Sequence, residues 1–90
     1  MEKGNILVAE DDPVLREVYV KKCSIGGYTI RTAENGEETI AAIEEEKPDL
    51  LILDINMPVM DGFSVLEKYP PKERQFPVIL LTNFGDDRNR

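Results

Sequence analysis

Acidic residues that directly follow apolar runs are the strongest chemical signal in this sequence. Asp54 ends the apolar run 50–53, and Glu10 with Asp11 follows the apolar run 6–9. Continuous apolar runs of this kind predict strands buried on both faces, as in a parallel sheet covered by helices. Ligands bind at the carboxyl edge of such sheets, so acids placed there are candidates for chemistry.

If both strands belong to one parallel sheet, Glu10, Asp11 and Asp54 meet at the same edge. Clustered carboxylates raise one another's pKa unless a cation lies among them. A set of oxygen ligands favours a hard cation, and Mg²⁺ fits best because proteins usually hold it with one or two carboxylates plus waters and phosphate oxygens. Two alternatives stay open: Asp54 is a turn residue before a helix, or Glu10 and Asp11 only form a capping turn with Asp12.

The remaining sequence predicts the strands and helices that would position these acids. After the first strand, the sequence predicts a helix from Asp12-Pro13 to about Ile25, a strand over 28–33, a helix opened by Asn35-Gly36, the strand ending at Asp54, a short helix from Gly62 to about Tyr69, and a strand over 77–82. The order βαβαβαβ implies right-handed crossovers and a parallel sheet with helices on both faces. On the first helix, the stripe Val14, Leu15, Val18, Tyr19 and Cys23 is predicted to belong to the core.

Length, composition and net charge limit the classes of function that this chain can have. Ninety residues, 41% hydrophobic and 32% charged, describe one globular domain. A net charge of −7 argues against direct nucleic-acid binding. The apolar runs are too short to span a bilayer and no signal-peptide pattern precedes the first strand, so we expect a cytoplasmic protein without membrane contact. The single cysteine, Cys23, cannot form an internal disulfide.

Three segments in register resemble the receiver domain of bacterial two-component response regulators. They are the opening 6–13, the pair Leu53-Asp54 with Met57-Pro58 and Asp61-Gly62 behind it, and the segment 76–82 that closes on a threonine. The resemblance spans the whole chain, so residues 1–90 are expected to form one receiver domain. It implies a flavodoxin-like, doubly wound parallel sheet with strand order 2-1-3-4-5.

The resemblance also implies a function. Asp54 would accept a phosphoryl group from a phosphohistidine on a sensor histidine kinase or a phosphotransfer protein. Glu10, Asp11, Asp54 and the backbone carbonyl of Asn56 would hold Mg²⁺, and Thr82 would act as a switch hydroxyl that binds the new phosphate. Such a domain assists its own phosphorylation and dephosphorylation but is not classed as an enzyme. A second copy of the domain or a downstream effector domain would be further partners.

The sequence departs from the family pattern in two respects. Receivers carry a fifth strand with an aromatic residue and a terminal lysine that pairs with the phosphate, and neither is found within these residues. Lys68 and Lys72 lie near the third helix and do not match that lysine. We therefore expect the strand order 2-1-3-4, in a domain that lacks its C-terminal third. Asn83 is larger than the residue that usually follows the threonine, which predicts narrower access to Asp54.

Two other functions remain open from the sequence. A truncated receiver or pseudo-receiver would act as an interaction module that does not depend on phosphorylation. A haloacid-dehalogenase-like phosphohydrolase would also use an aspartate at a strand end with Mg²⁺. That family requires a second aspartate two residues later, where this chain has Asn56, and a following threonine that is displaced by Pro58.

Overall fold

The computed structural model describes residues 4–81, in which strands and helices alternate as predicted. The elements are β1 (Asn5–Ala9), α1 (Pro13–Ile25), β2 (Thr29–Ala33), α2 (Gly36–Glu45), β3 (Leu50–Asp54), α3 (Gly62–Lys68) and β4 (Val78–Leu81). The second strand begins one residue later than predicted, at Thr29, and the last helix ends one residue earlier, at Lys68. Thr82, the predicted end of the fourth strand, lies outside the described residues.

The four strands form one parallel sheet in the order β2-β1-β3-β4. The central pair is β1 with β3, in which Ile6 lies opposite Leu50 and Ala9 lies opposite Leu53. This is the predicted flavodoxin-like arrangement with strand order 2-1-3-4. Because the two central strands are parallel and in this register, the residues that follow Ala9 and Leu53 lie at the same edge of the sheet.

Alternate residues of the central strands build a core on each face of the sheet. Leu7 and Leu53 belong to a buried cluster that also contains Ile43 of α2 and Val65 of α3. On the other face, a smaller buried cluster of Ile6, Val8 and Ile52 packs against Tyr19 and Cys23 of α1. Since side chains alternate across a strand, both faces are apolar and both are covered by helices, which explains the continuous apolar runs in the sequence.

The predicted core stripe on α1 is wrong for two of its members. Val14 and Val18 are 71% and 42% exposed, whereas Leu15, Tyr19 and Cys23 are partly buried. Adjacent helical residues project about 100° apart, because one turn takes 3.6 residues. The row from Leu15 through Tyr19 to Cys23 therefore faces the sheet, and the neighbouring row that begins with Val14 and Val18 does not.

A polar side chain begins each helix at the carboxyl edge of the sheet. Asp12 accepts hydrogen bonds from the Val14 and Leu15 amides, at 2.8 and 3.3 Å. Asn35 and Asp61 cap α2 and α3 in the same way, at 2.9 Å from the amide three residues later. Over residues 4–81, no helix combines the length and the apolar composition that crossing a membrane requires.

Candidate functional site

Three carboxylates converge where β1 and β3 end. Glu10 and Asp11 follow β1 and Asp54 is the last residue of β3. One carboxylate oxygen from each of the three lies within 4.8 Å of the others. Glu10 and Asp54 are 1% and 0% exposed, and Asp11 is partly exposed. The structure thus brings together the three side chains that the sequence singles out, at an edge where one acid faces solvent and two are enclosed.

Backbone groups hold both buried acids in place. The Asn56 amide donates to Asp54 Oδ1 at 3.1 Å, and the Asp12 amide donates to Glu10 Oε2 at 3.1 Å. The main chain of Glu10 is fixed as well, because its amide donates to the Ala33 carbonyl at 3.0 Å and its carbonyl accepts from Arg16 Nη1 at 2.9 Å. These contacts fix one oxygen of each buried carboxylate and leave little rotational freedom.

The electrostatics of the site favour an added positive charge. Burial raises the pKa of Glu10 to about 8, with a further contribution from the hydrogen bond with Asp54, while the hydrogen bond from the Asp12 amide opposes the shift. Glu10 therefore retains a proton at neutral pH when no cation is bound. A divalent ion among these oxygens would replace that proton, since it stabilises the charged form of each carboxylate.

The donor set fits Mg²⁺. Only carboxylate oxygens belong to the cluster, and oxygen is the ligand atom that hard divalent cations prefer. Asp11 provides the exposed side of the site, which suits an ion that keeps several waters and accepts phosphate oxygens as ligands. Asn56 lies in the first turn after Asp54, so its backbone is close to the cluster.

The loop after Asp54 is closed tightly against the end of β3. The amides of Gly62 and Met57 both donate to the Ile55 carbonyl, at 3.0 and 3.2 Å. A Cβ atom at Gly62 would lie 2.7 Å from the Asp54 carbonyl oxygen, which is too close for any other residue type. Gly62 thus permits the first turn of α3 to touch the backbone of the acid itself.

The same loop is attached to the start of α2. The Gly36 amide donates to the Met60 carbonyl at 2.8 Å, and a Cβ atom at Gly36 would overlap that carbonyl oxygen. In the sequence, Asn35-Gly36 indicates only the start of a helix, and Asp61-Gly62 is one of the pairs that resemble the receiver pattern. The close backbone approaches at both glycines could not be predicted from the sequence, although the Asx-Gly pairs mark their positions.

The opposite edge of the sheet holds a second polar group. Arg31 donates to the Ala42 and Glu46 carbonyls at 2.8 and 2.6 Å, and to Asn5 Oδ1 at 3.1 Å. Asp49 Oδ2 accepts from the Asn5 amide at 2.7 Å. A polar cavity of about 610 Å³ lies beside these residues. It is a sheet length away from the carboxylates and contains none of the predicted site residues.

Thr82 and Asn83 lie outside the described residues. Lys68 is the last residue of α3, which agrees with the expectation that it lies near the third helix. Of the residues expected to take part in the site, Glu10, Asp11, Asp54 and Asn56 are therefore the ones whose placement is known.

Comparison with known proteins identifies the family. The family model described as "Response regulator receiver domain" matches residues 6–90. The chain belongs to the response regulator receiver domain family. Membership of this family rules out the haloacid-dehalogenase-like alternative, which was based on an aspartate at the end of a strand.

Relatives of this receiver domain include transcriptional regulators. It is 38% identical over 85 residues to the probable transcriptional regulator ycf27 of Pyropia yezoensis, covering 94% of this chain and 35% of that protein. It is 37% identical over 86 residues to the DNA-binding transcriptional regulator NtrC of Salmonella typhimurium, covering 96% of this chain and 18% of that protein. The chain thus spans about a third or less of these relatives.

Solved receiver structures share the fold. The N-terminal domain of a response regulator receiver protein from Methanoculleus marisnigri JR1 is 42% identical, with a TM-score of 0.81 over 90% of this chain and 68% of that one. The signal receiver domain of a signal transduction histidine kinase from Syntrophus aciditrophicus is 38% identical, with a TM-score of 0.81 over 96% of this chain and 67% of that one. Receivers of both regulators and kinases are thus similar to this domain.

Proposed function

We propose that this receiver domain is a phosphoacceptor, in which Asp54 takes a phosphoryl group from a phosphohistidine on a sensor histidine kinase or a phosphotransfer protein. The observation that carries the proposal is the convergence of Glu10, Asp11 and Asp54 within 4.8 Å. An oxygen of Asp54 forms the new bond to phosphorus while the phosphorus–nitrogen bond of the donor breaks. A bound Mg²⁺ would take the place of the proton that Glu10 carries in the ion-free protein.

The residues divide the work. Glu10, Asp11, Asp54 and the Asn56 backbone carbonyl would hold Mg²⁺, and the ion would supply positive charge to neutralise the transferring phosphoryl oxygens. The Asn56 amide fixes Oδ1 of Asp54, so the carboxylate is oriented before a donor arrives. This preorganisation lowers the barrier because no group has to reorient during the transfer. Thr82 would donate its hydroxyl hydrogen to the new phosphate and report the phosphorylated state.

The same proposal covers partners and location. Because relatives include transcriptional regulators, an effector domain that acts on transcription is the favoured downstream partner, with a second receiver copy as another. The net charge of −7 disfavours nucleic-acid contact by this domain itself. A cytoplasmic location and a regulatory, non-enzymatic role belong to the proposal too.

The direct test measures the intact mass of the full chain after incubation with acetyl phosphate and Mg²⁺. We expect the wild-type protein to gain one phosphoryl group, Asp54→Asn to gain none, and a chelator to abolish the gain. Asp61→Asn is the matched control, because it makes the same substitution in the adjoining loop and asparagine also caps helices. That variant should be phosphorylated like the wild type.

Two outcomes would contradict the proposal. A phosphoryl adduct that persists in Asp54→Asn would place the acceptor elsewhere. A wild-type protein that binds Mg²⁺ but forms no adduct, with either acetyl phosphate or a phosphorylated kinase, would favour the interaction module that does not depend on phosphorylation.

A further inference from the structure

Val59 has a backbone conformation that its residue type disfavours. Its φ is +68°, and within the described residues 4–81 it is the one non-glycine residue with positive φ. The Met60 amide donates to the Pro58 carbonyl at 2.7 Å, so Val59 is the central residue of a three-residue turn. A γ-turn with positive φ is rare and strained, and a β-branched side chain makes that conformation still less favourable.

Packing does not offset this strain. The side chain of Val59 is 75% exposed, so little buried contact is gained by placing valine there. Glycine or asparagine adopts a positive φ at far lower cost. A strained residue without compensating contacts is most often found where the strain serves a function.

The strained turn belongs to the loop that fixes the acceptor. Three residues before Val59, the Asn56 amide holds Asp54 Oδ1 at 3.1 Å. Immediately after Val59, the Met60 carbonyl accepts from the Gly36 amide at 2.8 Å. Both ends of the segment 56–60 are thus attached to fixed groups, and the turn at Val59 joins them. A change of Val59 to negative φ would alter the backbone path between these two attachments.

We propose that Val59 is a positioning residue that lowers the Mg²⁺ affinity of the site, by disfavouring the loop conformation that sets Asn56 against Asp54. This inference rests on the proposed function. The ion-free domain exchanges between the strained loop and a relaxed one, and Mg²⁺ binds the strained form. The apparent dissociation constant then equals the intrinsic one divided by the fraction of molecules in the strained form.

The test compares Val59→Gly and Val59→Asn with the wild type by isothermal titration calorimetry of Mg²⁺ into the full chain. Both variants should bind Mg²⁺ at least about 5-fold more tightly, because they remove most of the cost of the positive φ. Val59→Ala, which lacks the β-branch but keeps a Cβ, should fall between them and the wild type. Val18→Asn is the matched control, since Val18 is an exposed valine within α1, and it should leave the affinity unchanged.

A second measurement separates positioning from plain stability. In the ion-free protein, the amides of Asn56 and Met60 should exchange with solvent more slowly in Val59→Asn than in the wild type, relative to amides of the sheet. If the variants only raise the free energy of unfolding and bind Mg²⁺ with wild-type affinity, this inference is wrong while the proposed function stands. If neither the wild type nor the variants bind Mg²⁺, both fail together.

Discussion

Charged side chains have opposite surroundings at the two edges of the sheet. At the amino edge, the Arg31 guanidinium donates to the carbonyls that end α2, and the Asp49 carboxylate accepts from the Asn5 amide. At the carboxyl edge, the side chain of Glu10 lies beside another carboxyl group, that of Asp54. The pKa of Glu10 rises to about 8 because of burial and its hydrogen bond with Asp54. Most polar groups of the amino edge are paired with the chain's own groups, and among residues 4–81 only Arg31 Nε is left there buried without a partner. At the carboxyl edge, an added cation would stabilise the clustered carboxylates. This difference between the edges distinguishes polar residues that stabilise the fold from polar residues that are suited to bind a cation.

The largest expected effect tests the acids of the carboxyl edge through pH. The pKa of Glu10 is about 8 in the folded protein against 4.5 as the ordinary value. Its protonated form stabilises the fold fully below pH 4.5, and this contribution is lost as pH rises to about 8. Without divalent ions, the free energy of unfolding of the wild type should fall by on the order of 3–5 kcal/mol from pH 4.5 to about pH 8, and Glu10→Gln should not show this fall. Urea unfolding at the two pH values measures the difference.

Glu17→Gln is the control for the pH experiment, since Glu17 is an exposed acid on α1. It should keep the pH dependence of the wild type. If Glu10→Gln also keeps that dependence, Glu10 is ionised in the folded protein and the two edges differ less than we infer. Saturating Mg²⁺ should reduce the wild-type loss, because the ion replaces the proton on Glu10.

A smaller effect is expected from the cation of the amino edge. Arg31→Met keeps the aliphatic length of the side chain but removes the donors to Ala42, Glu46 and Asn5. We expect the free energy of unfolding to fall by about 2–3 kcal/mol, since charge-assisted hydrogen bonds are lost in a partly buried place. Mg²⁺ affinity should be unchanged, because the carboxylates lie at the other edge.

Lys72→Met serves as the control for Arg31→Met, because Lys72 is an exposed residue in a turn. It should leave the stability close to that of the wild type. A large loss of Mg²⁺ affinity in Arg31→Met would show that the two edges are coupled through the sheet, and the comparison between them would have to be abandoned.

The smallest expected effect comes from removing an acid at the amino edge. Asp49→Asn retains an oxygen that can accept from the Asn5 amide, so the free energy of unfolding should fall by only about 0.5–1 kcal/mol. The sign is the informative result, measured by urea unfolding at pH 8 without divalent ions. Neutralising Asp49 should destabilise the protein slightly, whereas neutralising Glu10 should stabilise it. If Asp49→Asn also stabilises the protein, the amino edge is repulsive as well.

Much of the fold could be predicted from the sequence because short local patterns show where its strands lie and where its helices begin. The apolar runs before Glu10 and Asp54 show strands buried on both faces, and Asp12 with Pro13 shows where α1 begins. The meeting of Glu10, Asp11 and Asp54 then follows from parallel topology. These inferences succeed because each depends on local pattern plus a general rule of sheet geometry.

Other features could not be predicted because they depend on neighbours far away in the chain. Periodicity places Val14 and Leu15 on adjacent rows of a helix, but only the fold decides which row faces the sheet. Arg31 bridges to α2 only once both are in place. Val59 is the clearest case, since valine is a poor residue type for its positive φ and the pattern gives no warning.

The pairing of β1 with β3 also has a consequence for folding kinetics. Ile6 lies opposite Leu50, so the central ladder joins segments separated by most of the described chain. Closing a loop of this size costs entropy, so long-range ladders of this kind slow folding. The same ladder brings the end of β1 beside Asp54. A collapsed chain with formed helices but without this ladder does not bring Glu10 and Asp11 beside Asp54, so the carboxylate cluster forms in the same step as the sheet.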